Sequence, residues 1–198
     1  MSGSCLDSLQ RNGLSTVSRI FTTLAILTVA FLTGTMILGL SIGDLYDGTG
    51  DAHRLKSVHF LCGVACSLVV LLVNSISITY FVGTSRWSKE VTAAYSFDDQ
   101  YVRRCTHLKR RSFPLAVTSM LVMVGIVGLG AAADPATHLP ETAWWAMPHM
   151  FGAMLGTAWI ALSFKLQFDL IRKNFCVIAE VMQQVESKQI AAQSTANS

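Results

Sequence analysis

The chain has 198 residues, 52% of them hydrophobic and only 14% charged, with a formal net charge of +3. That composition excludes a disordered chain and leaves too few polar residues to cover a soluble core of this size. The small net charge gives no footprint for nucleic acid, and no nucleic-acid partner is expected.

Residues 1–18 are polar and are read as a cytoplasmic N-terminal segment. Four windows then carry no Asp, Glu, Lys or Arg: Ile20–Ile42, Ser57–Ser85, Ser112–Ala133 and Thr142–Phe164, each of at least 22 residues. At roughly 1.5 Å per residue, each crosses a hydrocarbon core of about 30 Å as a helix. Backbone groups in lipid find no water, so helices that satisfy them internally are expected. The predicted spans are 19–43, 57–86, 112–133 and 145–187, within a membrane domain of 19–188, followed by a disordered tail at 189–198. The first window exceeds a cleavable leader's apolar stretch, and Gly39–Asp44 holds no small-residue cleavage pattern. It is therefore read as a retained signal anchor.

Between the second and third windows lie Arg86, Lys89, Arg103, Arg104, Lys109, Arg110 and Arg111, whereas the loop before the fourth has no Lys or Arg. The positive-inside rule places both termini and this middle loop in the cytoplasm, in a multi-pass protein of the cell inner membrane. Within the loop, Ser96-Phe97-Asp98-Asp99 reads as a capping box. Tyr101, Val102, Cys105 and Leu108 follow at helical spacing, as a short amphipathic helix on the inner leaflet or on the extension of the second span. Pro114 and Pro148 are read near the starts of the third and fourth helices.

An internal repeat is expected. Asp44 and His59 are fifteen residues apart, as are Asp134 and His149, and a shift of 90 relates the two pairs. Ile37-Leu38-Gly39-Leu40 resembles Ile126-Val127-Gly128-Leu129 at a shift of 89. The fold class is therefore all-α: a four-transmembrane-helix bundle built from two like-oriented helical hairpins, related by a pseudo-two-fold axis, with short cytoplasmic helical extensions.

Histidine inside a membrane span is a functional candidate by default. His59 and His149 sit at the outer ends of the second and fourth helices, which lie diagonally in an up-down bundle. Two imidazoles aimed at one point from opposite sides suit the axial ligation of a b haem. Gly63, below His59, and Gly152 and Gly156, below His149, are candidates for leaving porphyrin room, with Phe60, Phe151 and Met154 as its wrapping. Thr49, Asp51 or a loop carbonyl is expected to hold the second ring nitrogen. No C-x-x-C occurs, which excludes covalent c-type attachment. Copper is the lesser alternative, since His59, Cys62 and Cys66 share a helix face near Met36, Met147, Met150 and Met154. Lys165 and Asp169 read as an interfacial ion pair. No hydrolytic set or phosphate-binding loop is present, so the chain is at most a subunit of an oxidoreductase.

Thr79–Val91, with Lys109-Arg110-Arg111-Ser112-Phe113-Pro114, resembles a family of uncharacterised bacterial four-helix integral membrane proteins. By architecture, His59 and His149 resemble the diagonal ligands of the cytochrome b bundle. That bundle carries a second histidine about fourteen residues along each ligating helix, where this chain has Val73 and Ser163. The resemblance implies one haem, an electron-transfer or anchor role, and a quinone or soluble redox subunit as partner. The alternative is a cofactor-free membrane scaffold acting in a homo- or hetero-oligomer.

Overall fold

The computed structural model describes residues 16–42, 50–137 and 142–196. Among them are four long helices and no strand: α1 (Thr16–Leu40), α2 (Gly50–Tyr95), α3 (Gln100–Ala132) and α4 (Thr142–Ala196), with a 3₁₀ turn at Pro135–Thr137. All four are long and apolar enough to cross a membrane. α1 packs against α2 and α4, α3 packs against the same two, and α2 meets α4 across the diagonal.

The bundle has an apolar core, yet it also buries polar side chains and exposes large apolar ones. α1 buries Ser18, Phe21, Ala25, Thr28, Leu32 and Thr35, alternately three and four residues apart, while Ile26 and Leu27 point outward. This is the seam spacing of left-handed helix packing. Leu155 is 72% exposed, whereas Asn74, Gln167 and Asn174 are wholly buried. Water would favour the reverse; lipid is indifferent to leucine but not to an unpaired amide. The chain is therefore an integral membrane protein.

Its helices outrun the apolar windows. α4 alone has 55 residues, roughly 80 Å at 1.5 Å each, far more than a bilayer requires. The segment expected to be a separate amphipathic helix is the first part of α3. Tyr101, Cys105 and Leu108 are buried in one stripe that continues through Ser112 and Ala116 to Ser119 and Met123. That continuous packing carries the helix through Pro114, which lies inside α3. The expected capping box is not formed. Ser96 instead adopts a positive φ of 51° just past α2, Asp99 makes no side-chain cap, and the Gln100 N–H donates to Asp98 Oδ1 at 2.8 Å.

The inner ends of α2, α3 and α4 are tied together. Arg104 grips both carboxylate oxygens of Glu180. Gln184 Nε2 donates to the Tyr101 hydroxyl at 2.7 Å, and Lys188 donates to the Tyr95 carbonyl at 2.6 Å while lying over the Phe97 ring. These ties carry α4 as helix to Ala196, past residue 189 where the sequence suggests a disordered tail.

In the inner half of the bundle, Gln167 Nε2 donates to Asn74 Oδ1 at 3.0 Å and to Ser163 Oγ at 3.1 Å. The Ser163 hydroxyl donates in turn to the Leu115 carbonyl at 3.0 Å, linking α2, α3 and α4. Hydrogen bonds between membrane helices couple by about 0.6 kcal/mol on average and about 1.7 at most. A double-mutant cycle of Asn74→Ala and Gln167→Ala, followed by unfolding in mixed micelles, should give a coupling in that range. Strictly additive losses would show that the two amides do not bond.

Candidate functional site: a paired-imidazole cleft

A neutral imidazole has one N–H donor and one bare nitrogen acceptor, and the partner of one decides what the other can do. His59, on α2, places Nδ1 3.0 Å from the Thr35 carbonyl of α1. His149, on α4, places Nδ1 3.1 Å from the Ile126 carbonyl of α3. A carbonyl only accepts, so Nδ1 carries a proton in both rings, and in the neutral form Nε2 keeps a free lone pair. Among the described residues no hydrogen bond reaches either Nε2. The two rings face each other edge to face, with centroids 6.1 Å apart and planes at 79°.

Both contacts depend on a glycine four residues beyond the accepting carbonyl. A methyl group on Gly39 would stand 2.7 Å from His59 Cε1, and one on Gly130 would stand 2.9 Å from His149 Cε1. A helix carbonyl points toward the residue four ahead. Removing Cβ there lets the ring come down onto the helix backbone. The glycine of α3 that answers to Gly39 is thus Gly130, at a shift of 91. Gly128, which the sequence match selects, is exposed, and a Cβ there would meet nothing within 4 Å.

The remaining expected residues fall as follows. A Cβ on Gly63, one turn inward from His59, would meet nothing within 4 Å. Gly152 is covered by Leu129, and Gly156 by Ile126 and Val122, so these two let side chains of α3 approach α4. In the α1–α2 pair the place of that contact is taken by Cys66, whose Sγ lies 3.3 Å from Thr35 Oγ1. Phe60, Phe151 and Met154 are exposed on the outer surface of the bundle and do not wrap the cleft. Met147 is likewise exposed, whereas Met36 and Met150 are half-buried. No group of three or more His, Cys, Asp or Glu able to hold a metal ion occurs among the described residues.

Helix carbonyls, rather than Asp51 or a loop, orient the rings; Asp51 is exposed, and Thr49 and Asp44 lie outside the described residues. His149 is not at a helix start, because α4 begins at Thr142 and Pro148 lies within it. Pro148 frees the carbonyl of Trp144, an exposed residue at the outer end. His53 and His107 are exposed, and His138 is outside the described residues.

The mouth of the cleft is crossed by one ion pair. Lys56 Nζ lies 2.7 Å from Asp134 Oδ1, with both side chains about a quarter exposed. Asp134 Oδ1 also accepts the Ala136 N–H at 2.9 Å. The Lys56 ammonium, helped by that N–H, holds the Asp134 carboxyl below the ordinary carboxylate range.

The glycines make a prediction. Replacing a helical glycine by alanine gains up to about 1 kcal/mol of helix propensity, whereas overpacking costs about 1–3 kcal/mol. Gly39→Ala and Gly130→Ala should therefore each destabilise the ligand-free protein, and Gly63→Ala should stabilise it or leave it unchanged. Thermal unfolding in detergent reads all three; equal effects would show that the imidazoles do not rest on Gly39 and Gly130. No family model matches this chain, and neither a curated protein nor a solved structure does.

Proposed function

We propose that His59 and His149 are the axial ligands of a single b haem near the outer face, in an electron-transfer or anchor subunit of a membrane redox complex. The observation that carries this reading is the pair of free Nε2 lone pairs at a ring-centroid separation of 6.1 Å. Two imidazoles bound through Nε2 to one metal, with metal–nitrogen bonds of about 2.0 Å, have centroids about 6 Å apart. Edge-to-face aromatic pairs also pack at such distances. Packing alone does not explain why both rings spend their only N–H on a helix carbonyl and direct no donor at one another.

A ligating histidine characteristically donates its other N–H to a carbonyl or carboxylate, which fixes the tautomer and raises basicity. Thr35 and Ile126 supply that carbonyl here. The open space beside Gly63 favours a porphyrin over a bare ion, and the exposure of Met147 and Met154 leaves a copper cage short of sulfur ligands. A haem would supply one-electron exchange; the chain would supply ligation, orientation and an apolar surround that tunes potential. The like holding of the two rings supports two hairpins related by a pseudo-two-fold axis. Val73 and Ser163 at the second-ligand positions limit the chain to one haem, so a quinone or a soluble redox subunit is needed to complete a circuit.

The test is a reduced-minus-oxidised spectrum of protein purified from haem-replete cells. A six-coordinate low-spin signal is expected, converted to high-spin or lost in both His59→Ala and His149→Ala. Absence of a Soret band, or a spectrum that ignores both substitutions, would reject haem and favour a cofactor-free scaffold docking through its inner helical extension. A Soret-silent protein that binds Cu(I) through both histidines would favour copper.

We further infer an inner-membrane location with cytoplasmic termini, supported by the basic residues between α2 and α3 and by the absence of Lys and Arg between α3 and α4. Single cysteines at Ser96 and Thr137 in a cysteine-free background check it. Impermeant reagent added to intact cells should label position 137 and spare 96; the opposite pattern would invert the topology.

A further inference from the structure

Lys56 precedes His59 by three residues, so it shares the ring's helix face and lies one turn, roughly 4.5 Å, nearer the outer surface. Asp134 follows by four residues the glycine on which His149 rests. Their ion pair therefore lies directly outward of the paired imidazoles and joins α2 to the end of α3. Inward, the bundle closes over Cys66, Val70, Val73 and Ile160, all buried. A ligand held by the two histidines can present polar groups only outward, where Lys56 stands.

A protein-bound tetrapyrrole with ionised carboxylates needs water and a cation for them, because an unpaired charge at an apolar boundary is costly. Lys56 fits that need by position and reach: its stem follows the apolar wall and its ammonium meets water. Its present partner is a quarter-exposed carboxylate, a kind of pair that contributes little and exchanges readily. Asp134 would not be stranded by the exchange, because it retains the Ala136 N–H at 2.9 Å.

We propose that Lys56 is the anchoring cation for a carboxylate of the porphyrin held between His59 and His149, exchanging Asp134 for that carboxylate when the cofactor binds. The inference rests on the haem reading and specifies the ligand as a tetrapyrrole with free carboxylates, bound in one orientation with its carboxylate edge outward.

The experiment titrates purified ligand-free protein in detergent with ferric protohaem and, separately, with its dimethyl ester, following the Soret band. The wild-type protein should prefer the free acid by about tenfold or more, the worth of one charge-assisted hydrogen bond. Lys56→Met should remove that preference while keeping ester affinity and the low-spin spectrum. Asp134→Asn, which leaves the ammonium in place, should keep the preference. Retention of the wild-type preference in Lys56→Met overturns the proposal while leaving the histidine ligation standing. So does equal loss of both porphyrins in Lys56→Met when Asp134→Asn binds normally. Failure of the wild-type protein to bind either porphyrin overturns the haem reading itself, and the anchor with it.

Discussion

Everything in this bundle follows from packing helices together in a solvent that does not drive them together. In lipid, leucine gains nothing by moving inside, so association falls to close approach and to hydrogen bonds that have no competitor. The chain accordingly turns Leu121, Leu155 and Ile26 outward and keeps Ser77, Thr28, Asn74, Gln167 and Asn174 within. The polar interior and the glycine contacts are two expressions of one requirement. Gln167 and Asn174 find partners on another helix, and each imidazole finds a backbone carbonyl that a glycine lays bare.

The imidazole pair is the most demanding case. Each ring spends its donor on a carbonyl that already belongs to a helix, which is possible only because a glycine uncovers that carbonyl. The result is an oriented ring whose remaining nitrogen is fixed in direction by the fold itself. Such preorganisation reduces the reorganisation a metal centre must impose on binding. Position along the bundle matters too: the Lys56–Asp134 pair lies one helical turn from the rings toward one end, whereas the amide and hydroxyl network around Gln167 joins helices in the other half.

Much of this could be read from the sequence. Charge-free windows of sufficient length mark the four spans, and two histidines at matched depth on alternate helices mark the cleft. Helix ends were less legible, because a window ends where charge begins and a helix need not. Tyr101, Cys105 and Leu108 hold α3 together well below the apolar segment and carry it through Pro114. The ring supports were hidden for another reason. α1 and α3 offer Gly34, Gly39, Gly125, Gly128 and Gly130, and in a helix apolar on all sides no periodicity says which glycine faces inward. The pattern of a residue, three others and glycine, at Thr35–Gly39 and Ile126–Gly130, was present but became distinctive only once the helices had a rotation. Phe60, Phe151 and Met154 were misassigned for the same reason, since hydrophobicity near a site does not tell the lipid side from the core side.

The contacts one helical layer further along from the rings couple the packing of the helices to the rings themselves. Between α1 and α2, threonine meets cysteine; between α3 and α4, isoleucine reaches into the space above Gly156. One interface divides its volume between two middling side chains, and the other gives it to Ile126 and Val122 over a bare glycine. Enlarging residue 156 requires trimming residue 126, and shrinking residue 66 leaves a void beside Thr35. Residues 35 and 126 are also the ones whose carbonyls aim the imidazoles. Substitutions at these four positions are therefore epistatic with ring orientation, and either half can be repacked only where the ring contacts with the Thr35 and Ile126 carbonyls are kept.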